Sequence, residues 1–271
     1  MKILLTGAGG GVAKRLRPMF LERYGQLVVS DMAALDDLAD GEEFRGAALS
    51  DFDAVSSACT DIDAIIHLGG QSLEAPWPVI RDANIDGAYN IFEAARQHGV
   101  KRVVFASSNH AVGMYARDRR IGVDQRVRPD TRYGVSKAFG EALGSLYADK
   151  HGIRVMSIRI GHVLERPEDE RRLSIWIHPE DLFQLIAIGL EHPDIHNEIV
   201  YGASHNARTF WDNANAYRLG YQPKYDAEDD AEFALAGQAK RKPDAIGDRL
   251  QGGSFCSNEF SGDIERTLSH Q

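Results

Sequence analysis

The chain has 271 residues, is 43% hydrophobic and 26% charged, and carries a net charge of −9, which suits an ordinary globular domain. The acidic balance and the lack of a basic run exclude nucleic acid as the main partner, and no apolar stretch approaches the roughly 18 residues needed to cross a bilayer. Cys59, Cys256 and ten scattered histidines give neither a disulfide framework nor a metal-ligand spacing; with Met1-Lys2 running into an apolar strand, a reduced, cytoplasmic, metal-free protein outside the membrane is expected.

Lys2-Ile3-Leu4-Leu5-Thr6 reads as a short apolar strand that stops at Gly7-Ala8-Gly9-Gly10-Gly11-Val12-Ala13. An amphipathic helix follows, with Leu16, Met19 and Phe20 on one face. Strand, glycine turn and helix in this order form a dinucleotide-binding signal. The glycines permit a tight turn and let the backbone approach a pyrophosphate at the helix N-terminus. A second strand, Leu27-Val28-Val29-Ser30, ends at Asp31. An acidic side chain about 20 positions past the glycines accepts hydrogen bonds from the adenosine ribose and repels a 2′-phosphate, which favours NAD over NADP.

A third strand is expected at Ala47-Ala48-Leu49-Ser50-Asp51, forming a wall of the adenine pocket. The fourth, Ala64-Ile65-Ile66-His67-Leu68, ends in Gly69-Gly70, where glycine lets backbone approach a ligand in the crevice of a doubly wound sheet. His67 fits a satisfied core histidine better than a catalyst, and Ser72 lies just beyond the strand end. From Asp82 to Gly99 the apolar positions Ile85, Ala88, Ile91, Phe92 and Ala95 give a helix with one apolar face, interrupted by the polar Asn84.

A fifth strand spans Val103-Val104-Phe105-Ala106-Ser107-Ser108 and leads into Asn109-His110. Residues 114–130 read as a charged loop, after which Tyr133 and Lys137 stand four apart, on one side of a helix reaching His151-Gly152. A phenol titrates near pH 10, and a neighbouring ammonium favours its phenolate. With a strand-end serine hydroxyl beside them, these groups form a proton-transfer device for an alcohol or carbonyl. A sixth strand, Ile153 to Ile160, ends at Gly161-His162.

Beyond it the strand–helix alternation breaks down. Glu165 to Arg172 is a charged run read as a loop, in which Arg171 and Arg172 are the nearest candidates to hold an anionic substrate. Pro179 to Leu190 reads as a helix and Ile199-Val200-Tyr201-Gly202 as a strand, while Phe210-Trp211-Asp212-Asn213 starts a further helix. The expected architecture is a single Rossmann-type, doubly wound parallel α/β domain. Residues 1–160 would form its NAD-binding core and residues 161–271 mainly a small substrate-side region.

Thr6 through Ala13, Asp31, Asn84, Ser108 and Tyr133-x-x-x-Lys137 together resemble the extended, sugar-epimerase-like short-chain dehydrogenase/reductases. A narrower resemblance, to bacterial uronate dehydrogenases, extends to the end of the chain. It rests on Phe105 through His110, Leu68-Gly69-Gly70 with Ser72, Arg171-x-Leu173-Ser174-x-Trp176, Val200 through Ser204, Trp211-Asp212-Asn213 and Gln251 through Phe255.

That resemblance implies oxidation of glucuronate or galacturonate with NAD to an aldarolactone, by an enzyme that associates into a homo-oligomer. It implies Ser108, Tyr133 and Lys137 as the catalytic set, with Tyr133 the proton acceptor. It further implies that Gly7, Gly10, Gly11, Val12, Asp31, Ala48, Leu49, Leu68, Gly69, Gly70, Lys137 and Val163 line NAD. Ser72, Ser108, Asn109, His110, His162 and Arg171 would contact the sugar acid. Two positions depart from the pattern. Ala48 replaces an acidic residue near the adenine, and His162 stands where a small hydroxyl residue meets the substrate; its imidazole would shrink the pocket and could add a charge.

The rival readings are a dehydrogenase of a neutral aldose, an epimerase or dehydratase acting on a nucleotide sugar, and a non-catalytic NAD-binding regulator. The chain is short for a second nucleotide, and a regulator needs no tyrosine of lowered pKa.

Overall fold

The strands that organise the molecule are runs of Val, Ile, Leu and Phe buried on both faces, the pattern of a parallel sheet covered by helices on either side. The computed structural model describes all residues, Met1 to Gln271. In chain order the first half comprises β1 (Ile3–Thr6), α1 (Gly11–Tyr24), β2 (Leu27–Ser30), β3 (Glu42–Phe44), α2 (Phe52–Ala58), β4 (Ala64–His67), α3 (Trp77–Ile80), α4 (Gly87–Gln97) and β5 (Arg102–Ser108). There follow α5 (Arg132–His151), β6 (Arg154–Ile160), β7 (His162–Val163), α6 (Arg172–Ile175), β8 (Trp176–Ile177), α7 (Pro179–Glu191) and β9 (Asn197–Gly202). The short helices α8 (Ala214–Arg218), α9 (Ala231–Gln238), α10 (Ser254–Ser257) and α11 (Ile264–Ser269) complete the chain.

Seven parallel strands pair in the order β3-β2-β1-β4-β5-β6-β9. Winding reverses between β1 and β4, so a crevice opens at the carboxyl ends of these two strands, where doubly wound sheets take their ligands. Side chains alternate across the sheet. Ile3, Leu5, Val29, Ile66, Val104 and Met156 pack with Leu16 and Phe20 of α1 and Leu182, Leu185 and Ile186 of α7. Leu4, Val28, Ile65, Val103, Phe105 and Val155 face the other way, against Val55 of α2, Ile91 and Phe92 of α4 and Leu143 of α5.

Helix α5 lies unusually close to the sheet: a Cβ on Gly140 would stand 2.1 Å from the Phe105 ring, and one on Gly134 2.3 Å from the carbonyl oxygen of His110. That close approach sets Tyr133 and Lys137 beside the end of β5.

Several local expectations differ from what forms. The third strand is Glu42–Phe44, not 47–51; Ala47 to Asp51 is a loop whose Asp51 caps α2 through a bond from Ala54 N–H. The charged run 165–172 runs into α6, and the small two-stranded sheet of β7 and β8 follows the pairings His162–Trp176 and Val163–Ile177. The segment 210–213 is irregular, and the helix there begins only at Ala214. No helix is long and apolar enough to cross a membrane.

Candidate active site

The glycine turn is built for an anion. Gly7 has φ +70°, and a Cβ on it would stand 2.7 Å from the backbone of Gly69, so β1 and the β4 exit meet backbone to backbone. Gly10 offers no side-chain cap to α1 and no acidic residue occupies the first turn, which leaves the N–H groups of Gly11 and Val12 free to meet a pyrophosphate. At the end of β2, Asp31 accepts from Gly9 N–H (2.9 Å) and from Met32 N–H (2.8 Å) and remains half-exposed. Leu49 reaches the site wall, with its Cδ1 3.0 Å from where a Cβ on Gly69 would be, and its carbonyl accepts from Asn90 Nδ2 (2.8 Å). Ala48 adjoins it on the same loop, while Leu68 and Val163 pack against the core on the α1 side. These groups fit a dinucleotide with an unphosphorylated ribose: backbone donors for the pyrophosphate and one carboxylate for the ribose hydroxyls.

Asp31→Ala is therefore expected to raise the NAD KM about 10- to 100-fold, the cost of lost hydrogen bonds to a charged acceptor, and to narrow the gap between NAD and NADP. Initial rates with the two cofactors check this; an unchanged preference would remove Asp31 from the ribose.

His67 is a buried structural residue. Its Nδ1 lies 2.7 Å from Thr6 Oγ1, and burial pushes its pKa down to about 3, so it stays neutral. Asn84, within a π-helical turn at Arg81–Asp86, is buried and bonds the backbone of Gln71 in both directions (2.7 and 3.0 Å) and Ser136 Oγ (2.9 Å). A Cβ on Gly70, at φ +126°, would meet Asn84 Oδ1 at 2.8 Å. Two residues past Ser72, Glu74 accepts from Tyr133 N–H (3.0 Å) and Arg132 Nη1 (2.5 Å). The loop that carries the exposed Ser72 is thus fixed to α5 at both ends.

At the end of β5, Ser108 Oγ accepts from His110 N–H (3.2 Å). Lys137 Nζ donates to the carbonyl of Ala106 (2.8 Å) and sits 5.5 Å from the Tyr133 ring centroid. Burial pushes Tyr133 up to about 12, with Ser108 acting in the opposite direction, and lowers Lys137 to about 8. A neighbouring ammonium is expected to lower the phenol, but in the structure burial dominates and Lys137 donates to a carbonyl. Behind them Glu141 takes a bond from Ser107 Oγ (2.5 Å) and two from Arg159 (2.9 Å each). This buried pair ties α5 to β6.

The hydrogen-bonded orientation of the Asn109 amide has Nδ2 donating to the Ile160 carbonyl and Oδ1 accepting from Arg171 Nη2, both at 3.1 Å. Arg171 Nε donates to the Gln251 carbonyl (2.7 Å), and burial lowers its pKa to about 10. No carboxylate lies within ion-pairing distance of Arg171. Arg172 is already committed, to Asp169 and, through Nε, to His162 Nδ1 at 3.2 Å. His162, lowered to about 4 by burial and the two guanidiniums, therefore adds bulk without charge at neutral pH.

The structure brings Ser108, Asn109, His110, Tyr133, Lys137 and Arg171 into one connected set. The supporting residues Glu74 and Arg159 carried no periodicity or motif that would have singled them out, whereas Gln251 opens the Gln251–Phe255 stretch that helps carry the resemblance.

The family model for the NAD dependent epimerase/dehydratase family matches residues 3–178. A uronate dehydrogenase of Pseudomonas syringae pv. tomato is 41% identical over 97% of this chain and 95% of that protein. One from Pseudomonas putida is 43% identical over 94% and 95%. A crystal structure of a uronate dehydrogenase variant from Agrobacterium tumefaciens, complexed with NAD, superposes with a TM-score of 0.91 at 38% identity, covering 95% of this chain and 97% of that one.

Proposed function

The chain belongs to the NAD-dependent epimerase/dehydratase family, and on that footing we propose that it is an NAD-dependent uronate dehydrogenase, oxidising glucuronate or galacturonate at the anomeric carbon to an aldarolactone. The observation that carries the substrate class is Arg171. A half-buried guanidinium without a carboxylate partner is costly, and this one is held by two neutral acceptors, the Asn109 amide oxygen and the Gln251 carbonyl. A uronate carboxylate supplies the missing charge and a two-pronged acceptor.

NAD, when bound, supplies the hydride acceptor. Tyr133 takes the proton of the anomeric hydroxyl, and Ser108, at the end of β5, holds the same oxygen. Lys137 steadies the phenolate from beside the ring. Arg171 fixes the far end of the sugar, so binding energy there orients the reacting carbon. Residues 1–160 supply the cofactor side in this reading and residues 161–271 most of the sugar side, in an enzyme that works in the cytoplasm as a homo-oligomer.

The decisive experiment follows NADH formation with glucuronate, galacturonate, neutral aldoses and nucleotide sugars. Turnover of a uronate well above every neutral sugar is expected. Turnover of neutral aldoses with none of any uronate would overturn the assignment.

A further inference from the structure

Asp130 ends the charged loop ahead of α5, yet its carboxylate is fully buried. Its Oδ2 lies 2.6 Å from His110 Nδ1, its Oδ1 accepts from Thr131 Oγ1 (2.9 Å), and Cys256 Sγ approaches Oδ2 at 3.8 Å. A Cβ on Gly113 or Gly252 would stand 1.9 or 2.0 Å from Oδ2. The carboxylate thus fills space that two glycines leave open. An ionised carboxylate only accepts, as Oδ1 does from Thr131, so a hydrogen bond between Oδ2 and His110 calls for the proton on Nδ1.

The rest of the imidazole is equally constrained. Phe255 stacks on the ring, 4.0 Å between centroids and 18° between planes, and Tyr133 meets its edge at 5.9 Å. His110 Nε2 has no hydrogen-bond partner within the chain, and the side chain keeps 13% exposure beside the Tyr133 phenol. A buried carboxylate costs desolvation that packing alone does not return. Here its contact with Nδ1 fixes the ring's angle.

We propose that Asp130 is a positioning residue for sugar oxidation, holding His110 as the Nδ1–H tautomer so that Nε2 faces the pocket as a hydrogen-bond acceptor for a sugar hydroxyl. The inference rests on the uronate dehydrogenase reading for its substrate, though not for its geometry. Ser108, Tyr133 and Arg171 are then joined by an imidazole acceptor that selects a hydroxyl donor. The opposite ring face is closed by Phe255, so the imidazole has one productive orientation. This is the role that second partners of histidine play wherever the free nitrogen must meet a ligand.

Two measurements test it. Nitrogen-15 NMR of the unaltered protein at pH 8 is expected to show His110 protonated on Nδ1 and bare on Nε2; the reverse tautomer overturns the proposal. It needs no substrate and no variant, so it decides even if a substituted chain fails to fold. In a double-mutant cycle, Asp130→Asn should lower kcat/KM for the uronate about 10- to 100-fold with NAD binding unchanged. In a His110→Ala background it should cost nothing further. Additive losses would show that Asp130 does not act through His110. Absence of uronate turnover in the unaltered enzyme would sink the substrate reading, and the NMR result would still stand or fall by itself.

Discussion

Tyr133→Phe is expected to lower uronate turnover by about a thousandfold or more, the upper part of the range for a lost general base, while NAD still binds. The substitution removes one oxygen from a ring that is otherwise buried and packed, so the fold should persist: Tyr133 is 8% exposed, and the set of its neighbours is fixed by Ser108, His110 and Phe255. Its pH dependence follows from burial. With burial pushing the phenol up to about 12, the protonated form dominates at neutral pH. The productive phenolate therefore becomes more abundant as pH rises, and kcat/KM should climb through the alkaline range. Steady-state rates against pH, with NAD binding followed by fluorescence, check both statements. A substantial residual rate in the variant with the same alkaline rise would assign the proton transfer elsewhere.

How much of this was legible in the residues depends on which physical signal each element carries. β1, β2, β4, β5 and β6 are apolar runs because both sheet faces are covered, and their ends are marked by glycine or polar clusters. β3 carries no such signal: Glu42-Glu43-Phe44 is an edge strand with two charged side chains, while the apolar Ala47-Ala48-Leu49 that follows forms a loop whose Leu49 lies against Gly69 and Gly87. The helical spacing of Tyr133 and Lys137 was plain, whereas the bond from Lys137 to Ala106 depends on how closely Gly140 lets α5 settle on Phe105. Asp130 lies in a charged loop, and only tertiary packing shows that its side chain is buried. The environment of Arg171 is likewise visible only in the folded chain. Beside Arg172 in sequence the two look alike, and their acidic neighbours distinguish them, Asp169 and Glu168 pairing with Arg172 and neither with Arg171.

That difference makes Arg171→Ala the sharpest test of substrate class. The substitution removes a charged, two-pronged partner for a carboxylate, a contact that contributes about 1.5–3 kcal/mol when desolvated, so the uronate KM should rise roughly 10- to 150-fold. Neutral aldoses make no such contact, and their weaker turnover should change little, which separates loss of carboxylate binding from general damage. Some loss of stability is also expected, because Arg171 Nε spans to the Gln251 carbonyl and its Nη2 to Asn109. Arg171→Lys controls for charge: an ammonium restores the sign of the field but lacks the planar fork, and should recover only part of the lost affinity. Arg172→Ala is the matching comparison, since that side chain is neutralised by Asp169 and touches His162 instead of Asn109. If Arg172→Ala raised the uronate KM as much as Arg171→Ala, the carboxylate would lie nearer His162 than Asn109, and the unpaired guanidinium would need another occupant.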